Sequence, residues 1–450
     1  MYELLIKNGT IITSSKRFKA NLVTNQGVIV AVTNKKPKTK RVIDAEDKLI
    51  LPGIIDIHCH LRDPGFEHKE DFETGTRAAA AGGVTFVFPQ PNLDPVPNTV
   101  ENFKKEVEIG ARKSLVDFNP IASPLLYEEG WVPKLAKEGT AWFKIFQKVA
   151  AYPYSSPAST TNTAHIYEAF KEIAKTGLRC SIHPFDKNFF EEAPRIIEKK
   201  GIPMTLSNYL KYVSTEKEMT SAAYQLYYLA KKARMKWYAL HCIFPDYIEL
   251  VRKIKASGEL DVIATAETLW SMSDKVYDVK QEEYIHVGWP PLNLNAVWRG
   301  INDGTIDCLG TDHAPHNREE MMTDDPLNSH FGFPFLEWWG HIMLNEVNKG
   351  SFTLEKFVEI TSENASKIFG FYPQKGTLQI GSDADVIIVD LEREWTITSE
   401  RVYTKCQLNP FHDWKIKGKV THTILRGQII MEEGEVMGKP GYGTFIRPLY

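Results

Sequence analysis

Apolar and polar positions change rhythm twice along the chain. In the first fifty residues short runs, Leu4–Ile6, Gly9–Thr13, Asn21–Thr24 and Val28–Thr33, are broken by turn residues, and a basic stretch, Lys35–Arg41, precedes another run at Val42–Asp44. Such runs predict strands. No amphipathic segment lies among them to cover the sheet, so it needs a partner from elsewhere in the chain.

From about Gly53 to Gly370 apolar runs alternate with longer amphipathic segments. The runs are Gly53–Ile57, Val84–Phe88, Val116–Ile121, Ala141–Phe146, Arg179–Ile182, Trp237–Leu240, Asp261–Ala266 and Ile306–Gly310. Eight repeated βα units predict an α/β fold, a (β/α)8 TIM-type barrel. An open doubly wound sheet is the competing architecture, disfavoured because no G-x-G-x-x-G follows the first run. After a helical stretch, Leu354–Phe369, β character returns at Asp385–Asp390, Thr421–Arg426 and Gln428–Glu432. The expected organisation is therefore a barrel over residues 51–372 beside a small β-sandwich domain built from both chain ends, 1–50 and 373–450.

Composition narrows the ligand. The 450 residues are 43% hydrophobic and 25% charged with a formal net charge of −3, which gives no electrostatic basis for binding nucleic acid or an anionic membrane. The N-terminal segment has no basic and apolar leader pattern, and no run approaches ~18 apolar residues, so a cytoplasmic location and no membrane partner are expected. Five dispersed cysteines without a C-x-x-C pair argue against a disulfide framework.

Candidate chemistry sits at the ends of the predicted strands. His58-Cys59-His60 closes the first run; two strand steps leave the imidazoles roughly 6.6 Å apart at the backbone, near enough to share one cation. Either histidine alone can equally be a hydrogen-bonded core residue. Strand four, however, carries Lys144, strands five and six end at His183 and His241, and strand eight ends at Asp312. In a barrel the C-terminal strand ends converge on one mouth, so these residues are expected to form a metal site, with two ions.

The segment Pro52–Thr85, with Gly53-Ile54-Ile55-Asp56-Ile57-His58-Cys59-His60-Leu61-Arg62-Asp63-Pro64-Gly65 and His68-Lys69-Glu70, resembles the cyclic amidohydrolases, and dihydroorotases most, with allantoinases and hydantoinases (dihydropyrimidinases) as near relatives. The resemblance continues through Asp303–Cys308, Asp312-His313-Ala314-Pro315-His316, Glu363–Gly370, Lys375-Gly376-Thr377 and Gly381–Asp385. It implies that His58, His60 and Asp312 hold one divalent ion, His183 and His241 a second, and that Lys144, carboxylated by CO2, bridges them. The ions are expected to be zinc. Two such ions sharing a water lower its pKa toward ~7, and Asp312 is the expected catalytic proton carrier.

Arg62, two residues past His60, can grip a carboxylate bidentately. The resemblance adds Asn92 and His316 as its partners, and so implies a small cyclic amide substrate, dihydroorotate, interconverted with N-carbamoyl-aspartate. The alternative for Arg62 is a local ion pair with Asp63 or Glu70. The alternative function is a hydantoinase or allantoinase-like hydrolase of another cyclic ureide or imide; a non-enzymatic scaffold is disfavoured because all six ligand positions are filled. Relatives imply a homo-oligomer, dimer or tetramer.

Departures from the family pattern are Trp289-Pro290-Pro291-Leu292-Asn293, Glu267-Thr268-Leu269-Trp270 on strand seven, Pro184-Phe185-Asp186 after His183, and the aromatic Phe333-Pro334-Phe335-Leu336-Glu337-Trp338-Trp339. Those last rings either shape a pocket for an apolar substituent or belong to the core.

Overall fold

A computed structural model describes residues 1–125, 130–147, 158–213, 215–286, 292–323, 325 and 329–449. Trp289, Pro290 and Pro291 lie outside the described residues.

Each of the eight expected runs overlaps a strand: Ile54–Cys59, Val84–Pro89, Asp117–Phe118, Phe143–Phe146, Arg179–His183, Lys236–Ala239, Val262–Ala266 and Cys308–Leu309, hereafter strands one to eight. Every ladder among them is parallel, in the orders three-two-one and four-five-six-seven-eight. Single parallel bridges, Cys59 to His313 and Ala122 to Phe143, link the two groups at both edges. Strand three is shorter than expected because Pro120 has no N–H to donate. Its neighbours keep the pairing, with Asn119 N and Ile121 N donating to Val87 O and Pro89 O at 3.0 and 2.9 Å.

Between the strands lie the amphipathic helices. Val100–Lys113 shows the logic: the Thr99 hydroxyl accepts from Asn102 N at the start, Phe103, Glu106, Ile109 and Gly110 form the buried face, and Arg112 and Lys113 close the negative end of the dipole. The expected helix 354–369 is continuous but changes pitch, with a π turn at Glu359–Glu363 between Leu354–Val358 and Asn364–Ile368. There the Ser362 hydroxyl donates to Gly53 O and Asn364 Nδ2 to Asp307 O, tying the helix to the starts of strands one and eight.

The chain ends share one seven-stranded sheet, ordered Glu435–Val436, Gln428–Glu432, Lys415–Leu425, Val386–Thr396, Leu49–Pro52, Thr10–Ile12, Arg17–Lys19. A four-stranded sheet of Val28–Thr33, Asn21–Asn25, Tyr2–Lys7 and Thr39–Asp44 lies against it. Leu4, Ile6, Leu22 and Ile29 of the smaller sheet pack with Ile11, Ile50, Val386, Ile388 and Ile424 of the larger. Two C-terminal strands are longer than their apolar runs suggest. Glu392, Glu394, Lys415, Lys417 and Lys419 extend them on alternating exposed or half-buried positions, where charge conceals the strand pattern.

One hairpin, Lys275–Asp278 with Glu283–His286, is an addition to the expected elements and pairs with Leu408–Asn409. All five cysteines are buried free thiols. No helix among the described residues is long and apolar enough to cross a membrane.

Candidate metal centre and substrate cleft

The strand ends do converge. One cleft is lined by His58, His60, Arg62, Asn92, Phe146, Ser159, His183, His241, Asp312, Ala314, His316 and Phe331. Eight of the nine residues singled out from the sequence are in that lining. The ninth, Lys144, is fully buried on strand four, its Nζ 4.9 Å from the centroid of the Phe146 ring.

Strand one supplies His58 and His60 on one face, with ring centroids 5.2 Å apart. Their Nε2 atoms lie 3.3 and 3.2 Å from the same oxygen, Oδ1 of Asp312, and one ligand atom from each of the three lies within 4.8 Å of the other two. On the other side the His241 ring is 5.2 Å from His58 and 4.7 Å from His183. The structure thus brings four imidazoles and a carboxylate from strands one, five, six and eight to one place.

Three of these residues hold unusual backbone. Arg62, His241 and Asp312 have φ of 61°, 66° and 46°, a left-handed conformation that costs a non-glycine residue about 1–3 kcal/mol and clusters at functional sites. The surroundings hold it in place: Asp56, buried beneath the site, accepts from Thr311 N and Oγ1 at 2.8 Å each. Burial pushes the Asp56 carboxyl up to about 7 despite those bonds. His313 points away from the cleft, accepting from Phe335 N at Nδ1 and placing Nε2 3.3 Å from Glu70. Nearby, Gly332 has φ 141° and a Cβ there would meet Ala314 O at 2.5 Å, so only glycine lets the Phe331–Phe333 segment lie against the Ala314–His316 wall.

Electrostatics favour lone pairs over protons here. Burial, then the fields of Lys144 and the other histidines, pulls His58 far below the ordinary imidazole value. Burial takes His60 down to about 4 against the opposing pull of Asp312. Burial raises the Asp312 carboxyl, but the His60 hydrogen bond and the fields of His241, His60 and Lys144 outweigh it and hold the group below its usual range. Neutral imidazoles and an ionised carboxylate are the protonation states in which these groups ligate metal. His58 Nδ1 is buried without a hydrogen-bond partner among the described residues. The donor set fits a divalent cation.

Glu267, where the sequence departs from the family's histidine-containing stretch, belongs to the site although its motif did not mark it. It is fully buried at the end of strand seven, accepts from His241 N at 3.0 Å, and sits 3.2 Å from His241 Nδ1. The backbone bond holds the Glu267 carboxylate behind the His241 ring. Its position at the same end as the other candidates was the available signal.

At the other end of the cleft Arg62 is 1% exposed; its Nε donates to Pro315 O at 3.3 Å and its Nη2 is 3.1 Å from His316 Nε2. The alternative of a local ion pair is not what forms: Asp63 pairs with Lys113 at 2.8 Å and Glu70 lies against His313. Asn92 Oδ1 lies 2.6 Å from His60 Nδ1, so this side chain touches the histidine pair as well as the cleft. The aromatic stretch after Phe331 resolves in favour of the core: Phe333, Phe335, Leu336, Trp338 and Trp339 are buried, with Phe335 5.1 Å from Phe411. Phe331 alone of that loop lines the cleft.

Residues 49–430 match the amidohydrolase family. The chain belongs to that family. A dihydroorotase of Methanosphaera stadtmanae is 30% identical over 445 residues, covering 97% of this chain and 98% of the relative. An L-hydantoinase of Paenarthrobacter aurescens is 28% identical over 457 residues, covering 99% and 98%. Among solved structures, the L-hydantoinase (dihydropyrimidinase) from Arthrobacter aurescens superposes with a TM-score of 0.89 at 26% identity, covering 99% of this chain and 100% of that one. The chain is thus a cyclic amidohydrolase whose relatives divide between two ring substrates.

Proposed function

We propose that this amidohydrolase opens, or in reverse closes, the ring of dihydroorotate, with N-carbamoyl-aspartate as the open form. The observation that carries this reading is one cleft in which Arg62, Asn92 and His316 stand beside His58, His60 and Asp312. A buried guanidinium with an amide and an imidazole suits a carboxylate on the ring, while the histidine cluster suits the amide bond to be cut. The eight parallel strands, read as a barrel closed by the two single bridges, make residues 51–372 the catalytic unit; 1–50 and 373–450 form a supporting β-sandwich.

His58, His60 and Asp312 would hold one divalent ion and His183 and His241 another, with Lys144 as a carbamate between them. Zinc suits a set of imidazoles and carboxylates. When bound, such ions polarise the amide carbonyl and make water acidic enough to attack at neutral pH. The remaining work falls to the chain. Asp312 takes the proton as the water oxygen bonds to the carbonyl carbon, then delivers it to the ring nitrogen as the C–N bond breaks. Glu267 keeps His241 oriented. Arg62, Asn92 and His316 fix the ring so that its amide faces Asp312.

A second reading, hydantoin hydrolysis, draws support from the Phe146 and Phe331 rings in the same cleft, which suit an apolar substituent. Turnover of dihydroorotate, dihydrouracil, allantoin and an aryl hydantoin, measured side by side, separates the two. Dihydroorotate should dominate and lose its advantage in Arg62→Met; comparable turnover of dihydrouracil by the unmodified enzyme would overturn the assignment.

A further inference from the structure

Among the described residues, the lining of the cleft that belongs to neither the histidine cluster nor the Arg62 group is Phe146, Ser159, Ala314 and Phe331, and only Ser159 brings a hydrogen-bonding side chain. The segment that carries it runs along the end of strand four. Phe146 N donates to Ala158 O at 3.0 Å and Thr160 N donates to Phe146 O at 2.9 Å, so Ser159 is paired with Phe146 in a parallel bridge. Paired residues present their side chains on the same face of a sheet. Ser159 therefore turns the way Phe146 does, into the cleft. The segment is also anchored by packing, because Ala158 is buried in an apolar cluster with Val96 and Phe146. The Phe146 ring lies 6.3 Å from the His60 ring and 4.9 Å from Lys144 Nζ. Ser159 thus stands on the strand-four side of the histidine cluster.

In the barrel read above, strand four lies across the mouth from strand eight, which carries Asp312 and His316 at its end. Dihydroorotate has hydrogen-bonding groups on three alternate ring atoms: the amide carbonyl to be cut, the carboxylate, and the ureide carbonyl between the two nitrogens. These point toward three different walls. With the amide at the histidine cluster and the carboxylate at Arg62, the ureide carbonyl faces what remains of the lining, where the hydroxyl of Ser159 can donate to its oxygen. The value of that bond grows as the reaction proceeds. Once the water oxygen bonds to the amide carbon, the ring nitrogen no longer shares its lone pair with that carbonyl. As the C–N bond breaks, the bonding pair stays on the nitrogen and spreads onto the ureide oxygen until the proton arrives from Asp312. A donor at that oxygen stabilises the transition state more than the bound ring.

We propose that Ser159 is a catalytic residue that donates to the ureide oxygen and stabilises the departing nitrogen. The proposal deepens the dihydroorotate reading and rests on it for the direction in which the third group of the ring points. Ser159→Ala should lower kcat/KM for dihydroorotate about ten- to a hundredfold, most of it in kcat, as expected for loss of one donor to developing charge. The 2-thio analogue of dihydroorotate, whose sulfur accepts hydrogen bonds poorly, supplies a readout that altered packing would not move. On that substrate the loss caused by Ser159→Ala should shrink to less than about threefold. Losses of equal size on the oxo and thio rings, or a Ser159→Ala enzyme within about twofold of the unmodified one on dihydroorotate, would overturn the proposal. An enzyme that opens dihydrouracil and not dihydroorotate would sink the substrate reading. The same comparison on dihydrouracil and its 2-thio analogue would still judge Ser159, because the ureide carbonyl is common to both rings.

Discussion

Two buried clusters of ionisable groups, alike in ingredients, do opposite work. Where strand three meets the C-terminal segment, Asp117, Asp383 and Asp385 surround Lys375, whose Nζ lies 2.5, 2.9 and 2.7 Å from their oxygens, and Arg426 also donates to Asp117. Each carboxylate there faces a cation or N–H from the chain itself; Thr444 N, for example, donates to Asp117 at 2.8 Å. At the metal end of the cleft, His58 and His60 are held neutral beside the Asp312 carboxylate, and His241 and Asp312 sit on backbone at positive φ. The first cluster is complete and joins two parts of the fold. The second presents lone pairs to a common point. Buried acidic groups alone therefore do not mark a metal site; the presence or absence of a complementary cation from the chain does.

The comparison can be broken most sharply at Asp312. Asp312→Asn should lower kcat about a hundred- to ten-thousandfold while thermal unfolding is little changed, because the proposed proton carrier is lost and no packing is. A melting temperature that collapses with activity would place Asp312 in the structural class instead. Removal of divalent ions by a chelator should likewise abolish turnover, and added zinc should restore it; full turnover after chelation would refute the metal reading.

Lys375→Met tests the other cluster. It removes the cation that Asp117, Asp383 and Asp385 share, leaving Arg426 at Asp117 alone, and should destabilise the fold by about 3–5 kcal/mol in denaturant titration, with kcat per folded molecule nearly unchanged. A loss of kcat without a loss of stability would reverse the assignment of the two clusters.

A smaller effect is expected from Glu267→Gln. Weakening the carboxylate behind His241 should reduce metal affinity about ten- to a hundredfold, read by competition with a chromogenic chelator. Unaltered affinity would mean that the 3.2 Å contact does not tune the ligand.

The finest test is by pH. The neighbouring carboxylates outweigh burial and raise Lys375 above its ordinary value of 10.5. A raised folded pKa contributes stability that is fully present below the unfolded value and lost as pH rises through the folded one. The stability gap between the unmodified protein and Lys375→Met should hold from neutral pH to about 10.5 and narrow above it. A gap that widens there would contradict the sign.

Much of this was legible in one dimension. The alternation of apolar runs with amphipathic segments located all eight parallel strands, because burial on both faces leaves an apolar signature that survives without tertiary context. Strand-end histidines then pointed to one mouth. Less legible were the long terminal strands, whose exposed charged positions mask period two, and the Lys275–His286 hairpin, which has a single partner strand far along the chain. Glu267 is hidden for a related reason. It does not line the cleft and stands behind His241, a relation that spacing does not encode.

The sequence by itself determined which residue types stand at the strand ends and that an amidohydrolase chemistry was available, since both follow from local pattern and motif. Only the tertiary structure decided which charges meet. It set Lys375 among three aspartates, turned Arg62 toward His316 and away from Asp63, and put Phe335 and Trp338 in the core with Phe331 at the cleft. Those outcomes depend on contacts between segments tens to hundreds of residues apart, where packing and desolvation choose among partners that are equally plausible along the chain.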